Sequence, residues 1–114
     1  MAVKLSISTP VVTMNPGAHA EWEQDASIEE VARIGEAADR LGYHHMTCSE
    51  HVALPAAELS RRGSRYWDPL ATFGYLAART SRICLATNVL VLAYHHRSRL
   101  LRATGRWTGS AMVA

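Results

Sequence analysis

The chain has little cysteine and no long apolar run. Its only two cysteines, Cys48 and Cys84, are far apart and each falls within a predicted strand, so buried free thiols are the simplest interpretation. The longest apolar run, Val89 to Ala93, is far too short to cross a bilayer. The first residues also lack the apolar segment of a secretory signal. We therefore expect no membrane association and a cytoplasmic location.

Acidic residues are missing from the end of the chain. All ten lie at or before Asp68, whereas four of the twelve basic residues fall in 97–114. Residues 1–96, with eight basic and ten acidic side chains, carry a net charge of −2, and the remaining residues carry +4. Because the excess positive charge does not come from a basic face interleaved with aromatic residues, the composition argues against nucleic-acid binding.

The common phosphate-binding loops are absent as well, but strands and helices alternate. No Gly-x-Gly-x-x-Gly follows the first predicted strand, and no Walker sequence occurs. Alternating or buried apolar patterns predict strands over 4–8, 45–49 and 83–88, the last apolar enough to be buried on both faces. The order strand, helix, strand, helix, strand is typical of parallel βαβ units.

The two helices carry clear start signals. Ser27 and Glu30 form a capping box, and Gly42 supplies the left-handed stop of the first helix. Asp68 and Pro69 predict the start of the second helix. Apolar residues recur at helical spacing on both and give each helix one apolar face: Val31, Ile34, Ala38 and Leu41 on the first, Leu70, Phe73, Leu76 and Ala77 on the second.

Titratable residues follow the second strand, at the edge where parallel α/β folds bind ligands. Glu50 and His51 could perform general acid-base chemistry, with the carboxylate orienting the imidazole, or they could be a solvated surface pair. The doublets His44-His45 and His95-His96 suggest a metal, but strand neighbours point to opposite faces, so we expect no metal site. The basic segment 61–65 is either a solvated loop or part of the face that would hold an anionic coenzyme.

A series of segments gives a family resemblance. Taken in order, they make the chain from Lys4 to His96 resemble the N-terminal third of the luciferase-like monooxygenases, which include flavin-dependent monooxygenases and deazaflavin-dependent dehydrogenases. The segments are Leu5-Ser6-Ile7-Ser8-Thr9, Ala37-Ala38-Asp39-Arg40-Leu41-Gly42-Tyr43, Ser49-Glu50-His51, Tyr66-Trp67-Asp68-Pro69-Leu70, Ala78-Arg79-Thr80-Ser81-Arg82-Ile83 and Leu85-Ala86-Thr87-Asn88-Val89.

The resemblance implies an α/β fold, the N-terminal βαβαβ portion of a (β/α)8 TIM barrel that is truncated before closure. It implies that His51 is the catalytic acid-base or substrate-positioning group and that Glu50 lies beside the coenzyme ring. It also implies a non-prolyl cis peptide at Asn88-Val89, against which the ring rests. The coenzyme would be FMN or the deazaflavin coenzyme F-420, and the partner a small organic substrate.

The last eighteen residues do not follow the family pattern, and we interpret 1–96 as barrel and 97–114 as an aberrant, frame-shifted tail. With permitted codons and one restored cytosine before Arg97, this tail reads as a helix followed by Asp-Arg-Phe-Ser-Asp-Gly-Arg, as the family requires. The sequence therefore predicts an inactive form of a flavin-type oxidoreductase. The alternative is a non-catalytic α/β fragment that self-associates through an open strand edge.

Overall fold

The computed structural model describes residues 3–100 of the chain. Three strands form a parallel sheet in the order β1-β2-β3, with two main helices between them. The strands are β1 (Ser6–Ser8), β2 (His45–Ser49) and β3 (Cys84–Val89), and the helices are α1 (Ile28–Leu41), the short α2 (Leu59–Arg62) and α3 (Pro69–Ala77). The predicted βαβαβ order is confirmed.

Local capping signals set the helix bounds as predicted. The Ser27 hydroxyl accepts the Glu29 N–H while the Glu30 carboxylate accepts the Ser27 N–H, and Gly42 ends α1 in the left-handed region with φ of 81°. At α3, the Asp68 side chain accepts the Ala71 N–H at 2.7 Å. These contacts are formed within one turn, which explains why the sequence alone locates them.

One face of the sheet packs on α1 and α3. Met46 and Leu85 lie side by side in the strand register, and both are fully buried with Phe73 and Leu76 in the core. A Cβ built on Gly35 of α1 would lie 3.1 Å from the Leu76 side chain, so the glycine allows the two helices to approach closely. Leu41, the last of the periodic apolar positions of α1, is 73% exposed and lies outside this core.

The opposite face of the sheet carries small side chains toward the carboxyl ends of the strands, and His45 nearer their amino ends. Because alternate residues point to opposite faces, Ser8, Thr47 and Ala86 stand in one row there, and Thr47 and Ala86 remain half-buried. Burial of β3 on both faces, which its apolar sequence predicted, is therefore incomplete. Within residues 3–100 no helix covers this face, because α1 and α3 both lie on the other one.

The α3–β3 connection is fixed by a carboxylate. Asp39 of α1 accepts the backbone N–H groups of Ser81, Arg82 and Ile83, the last at 2.6 Å. Burial acts to raise the pKa of Asp39, but these hydrogen bonds outweigh it and hold the pKa of the carboxyl below its usual value. The start of β3 is thereby held against the end of α1.

The predicted aberrant segment lies mostly outside the described residues. Of 97–114, residues 97–100 are helical, and the N–H groups of Arg99 and Leu100 donate to the His96 carbonyl. Residues 101–114 fall beyond the described part. None of the helices in 3–100 is long and apolar enough to cross a membrane.

Candidate functional site at the carboxyl ends of the strands

Two long loops, 9–27 after β1 and 50–67 after β2, dock on each other above the carboxyl ends of the strands. Thr13 and Tyr66 form an antiparallel bridge, and the Trp67 N–H donates to the Val12 carbonyl at 2.9 Å. Gly63 sits at the closest approach, where an added Cβ would be 2.0 Å from the Met14 carbonyl oxygen. Only glycine fits here, and its φ of 73° also requires glycine.

A buried carboxylate organises the first loop. Glu23 is 8% exposed, and its two oxygens accept the N–H groups of Val11 and Ala20, both at 2.8 Å. Val11 is fully buried with a φ of 70°, a region that costs a β-branched residue roughly 1–3 kcal/mol. Arg65 of the second loop donates to the Glu23 and Gln24 carbonyls. Sequence patterns gave no signal for Glu23 because its partners lie in irregular backbone.

Glu50 is buried beneath the end of β3. It is 4% exposed, one carboxylate oxygen accepts the Val91 N–H at 2.7 Å, and the other lies 2.7 Å from His95 Nε2. The Glu50 N–H donates to the Val89 carbonyl at 2.9 Å. Neither alternative for the pair holds for Glu50: its carboxylate is buried rather than solvated, and His95 and Val91 occupy it rather than His51. His95, considered above only as a metal ligand, is the residue that sequence reasoning missed here.

The end of β3 contains the expected bulge without a cis bond. The register runs from Cys48 opposite Thr87 to Ser49 opposite Val89, so Asn88 is the extra residue. The predicted cis peptide at Asn88-Val89 is corrected, since residues 3–100 contain no cis peptide. A trans bond avoids a cost of about 3–4 kcal/mol, and the extra residue produces the irregularity instead. Asn88 and Val89 are both exposed, Val89 by 44%.

His51 packs against an aromatic ring rather than a carboxylate. Its imidazole lies 4.5 Å from the Tyr66 ring, centroid to centroid, at an angle of 34°. The Tyr66 hydroxyl donates to the Arg62 carbonyl at 2.9 Å, which fixes the ring that supports His51. The Nδ1 atom of His51 is buried and lacks a hydrogen-bond partner among the described residues. Such an unsatisfied polar atom is rare in folded proteins and is often found at functional sites.

Two cavities open at this edge of the sheet. The first, which we call the strand-end cavity, measures about 360 Å³ and is bounded by the ends of β1, β2 and β3 and by the first loop, with Ser8, Thr47 and Asn88 among its walls. The second, the His51 cavity, measures about 470 Å³ and lies between the two loops. Both volumes fall in the range of small-molecule sites. Asn15 and Ser49 line both cavities, so the two adjoin.

Cys48 in the strand-end cavity is not a nucleophile at neutral pH. It is a free, buried thiol, as predicted. Burial raises the pKa of its thiol to about 11, because no cationic group compensates the loss of water around the thiolate. Its role at the site is to fill space.

The other residues that the sequence singled out lie away from His51 or have a different role. The His44 and His45 rings do meet, with Nδ1 atoms 3.1 Å apart, because His44 precedes β2 and strand alternation does not separate them. They lie at the amino ends of the strands, away from His51. Within the described residues, no group of three or more His, Cys, Asp or Glu side chains is placed to hold a metal ion.

The fold has relatives among solved monooxygenases. Monooxygenase RslO1 from Streptomyces bottropensis is 27% identical, with a TM-score of 0.66 over 97% of this chain and 32% of that protein. The oxygenating constituent of 3,6-diketocamphane monooxygenase from Pseudomonas putida, solved in complex with FMN, is 20% identical, with a TM-score of 0.69 over 99% of this chain and 29% of that one. Apo-MsnO8 is 18% identical, with a TM-score of 0.61 over 98% and 31%.

These matches give the architecture its context. The chain spans about a third of the length of those proteins and has the α/β fold of a TIM-barrel portion, as predicted. No curated protein matches the chain. The family model for luciferase-like monooxygenases matches residues 5–105, which include both loops and all three strands. With most of its length covered by that match, the chain belongs to the luciferase-like monooxygenase family.

Proposed function

We propose that this chain carries the coenzyme-ring and acid-base part of an FMN-dependent monooxygenase site that acts on a small organic substrate. The observation that carries the proposal is the joint placement of His51, Asn88 and Val89 at the carboxyl edge of the sheet in a chain of this family. FMN is favoured over a deazaflavin because one structural neighbour is a complex with FMN.

The residues at this edge fit a flat ring system. The row formed by Ser8, Thr47 and Ala86 carries only small side chains, and exposed Val89 offers an apolar contact at the end of β3. Asn88 can donate and accept hydrogen bonds in the strand-end cavity. Glu50 would act beneath this surface: by holding the Val91 N–H and His95, it keeps the Asn88 bulge in place. Bound FMN would supply the redox chemistry with molecular oxygen.

His51 is the proton-handling group of the proposed site. Nδ1 is buried, and the ring borders the His51 cavity, so proton exchange with a substrate would use Nε2. The Tyr66 ring restricts rotation of the imidazole, and the docked loops limit access of water from one side. An oriented imidazole in contact with a substrate can act as a general acid or base.

Coenzyme binding provides the first test. We expect the fluorescence of FMN to be quenched saturably as it binds the chain, and FMN to bind more strongly than a deazaflavin. Val89→Asp should weaken FMN binding by about tenfold, because a charge would be desolvated under the ring. Leu41→Asp, at an exposed site on α1, is the matched control. If neither coenzyme binds up to millimolar concentration, the proposed function is wrong.

The role of His51 needs a second measurement. In a full-length form of the protein, with reduced FMN supplied and a set of small organic substrates screened, His51→Ala should lower turnover by about 10²-fold while leaving FMN affinity unchanged. His44→Ala, at the opposite end of β2, serves as the control and should leave both quantities unchanged. Weaker FMN binding with unchanged turnover would assign His51 to positioning of the coenzyme.

A second candidate function rests on the sheet edges. Within residues 3–100, β1 and β3 each pair on one side only. A chain that binds neither FMN nor a deazaflavin but forms oligomers through these edges would be a non-catalytic association module.

A further inference from the structure

The His51 cavity has a cationic wall that the proposed flavin chemistry does not use. Arg61 and Arg62, on α2, border it together with His51, and a single carboxylate, Glu58, is ion-paired with both. The hydrogen bonds from Arg61 and Arg62 lower the pKa of Glu58, so it is fully ionised at neutral pH. Two positive charges and one negative charge leave a net positive wall.

The position of this wall is fixed by the fold. The Tyr66 hydroxyl donates to the Arg62 carbonyl. Gly63, which ends α2, donates its N–H to the Leu59 carbonyl. Because Gly63 is held against Met14, the arginines just before it are anchored where the two loops meet. The Arg62 side chain is 45% exposed and the Arg61 side chain 70%, so both guanidinium groups remain accessible to a ligand.

Arg62 retains donors that can face a ligand. Its Nε donates to Glu58 at 3.2 Å, whereas its two Nη groups have no hydrogen-bond partner among residues 3–100. The planar fork of a guanidinium matches the two oxygens of a carboxylate or phosphate. Asn15 and Thr13 add neutral hydrogen-bonding groups across the cavity, and Tyr66 adds an aromatic face beside His51.

We propose that the His51 cavity binds an oxyanion carried by the organic substrate, with Arg62 and Arg61 holding the anion and the Tyr66 and His51 rings contacting the adjoining apolar part. This assignment rests on the proposed function in one respect, namely that the cavity beside His51 is the substrate side of the site. The volume of about 470 Å³ suits a small aromatic or aliphatic carboxylate.

Benzoate and its neutral isostere benzamide are suitable probes. In chain labelled at histidine, we expect benzoate to shift the His51 Cε1–H NMR signal saturably, and benzamide to bind at least about tenfold more weakly because it lacks the charge that Arg62 recognises. Equal binding of the two compounds would overturn the proposal.

Variants at the wall give effects of opposite sign. Arg62→Gln should weaken benzoate binding at least about tenfold, whereas Glu58→Gln should tighten it several-fold because it frees both guanidinium groups. Arg33→Gln, which removes an arginine from a similar i,i+3 pair with Glu30 on α1, is the control and should change nothing. A general loss of folding would weaken binding in every variant and could not produce the increase. If Arg62→Gln behaves like Arg33→Gln, the proposal is wrong.

The source of the anion is settled by comparing FMN with riboflavin. If Arg62→Gln weakens FMN binding as much as benzoate binding but leaves riboflavin binding unchanged, the wall holds the coenzyme phosphate, and the substrate assignment is overturned. If benzoate binds as expected while neither FMN nor a deazaflavin binds, the anion site stands and the proposed function fails.

Discussion

Substitution of Gly63 tests whether docking of the two loops builds the site. In Gly63→Ala, the new Cβ would lie 2.0 Å from the Met14 carbonyl oxygen, so backbone must move. The φ of 73° and ψ of 178° cost a non-glycine residue roughly 1–3 kcal/mol. Displacing Met14 also breaks its hydrogen bond to the Arg65 carbonyl, worth about 1 kcal/mol. Together these changes lower the free energy of unfolding by about 3 kcal/mol.

Thermal unfolding followed by circular dichroism measures this loss, which corresponds to a melting temperature lowered by roughly 10 °C or more. Gly74→Ala is the matched control: nothing lies within 4 Å of its added Cβ in α3, so we expect a gain of about 0.5–1 kcal/mol from helix propensity. An unchanged melting temperature for Gly63→Ala would refute the close approach. If the loops undock locally instead, the His51 and Tyr66 NMR signals should move together while the melting temperature falls less.

Three further predictions concern packing, titration and assembly. Asp39→Asn should lower the free energy of unfolding by about 1–3 kcal/mol through its lost N–H partners. Because the folded-state pKa of Asp39 is depressed, its contribution to stability is present above the unfolded pKa near 4 and disappears as pH falls through the folded pKa. Equal free energies of unfolding for Asp39→Asn and the unchanged chain at pH 7 would contradict this prediction. Thiol labelling at pH 8 should modify Cys84 and spare Cys48, whose pKa is about 11, and mass spectrometry showing rapid labelling of Cys48 would be inconsistent with its burial. The unpaired sides of β1 and β3 within residues 3–100 should produce concentration-dependent oligomers in sedimentation, whereas a monomer at every concentration would disprove edge pairing.

Local signals predicted most of the secondary structure. The bounds of β2 are those expected, α1 begins after Ser27 and ends before Gly42, and α3 begins at Pro69. Strand β3 starts one residue later than predicted, at Cys84. These features depend on caps, turns and periodicity within a few residues, which a sequence displays directly.

The partners of the site residues could not be read in the same way. The sequence suggested that Glu50 either orients its neighbour His51 or is solvated, yet its carboxylate contacts His95, 45 positions along the chain. Glu23 was not noticed at all, although it holds the strained Val11 backbone. A buried carboxylate takes the donors that folding brings to it, and sequence proximity does not determine them.

The sequence by itself determined the parallel βαβαβ order, the family and the edge of the sheet where chemistry-bearing residues gather, because these follow from periodicity, capping and motif order. Only the tertiary structure decided that His51 stacks on Tyr66, that Glu50 supports the end of β3, and that Gly63 places Arg62 beside the cavity. Each of those arrangements joins residues that are distant in sequence and lie in irregular backbone. Their geometry is set by how the irregular backbone satisfies its hydrogen bonds and fits without steric overlap.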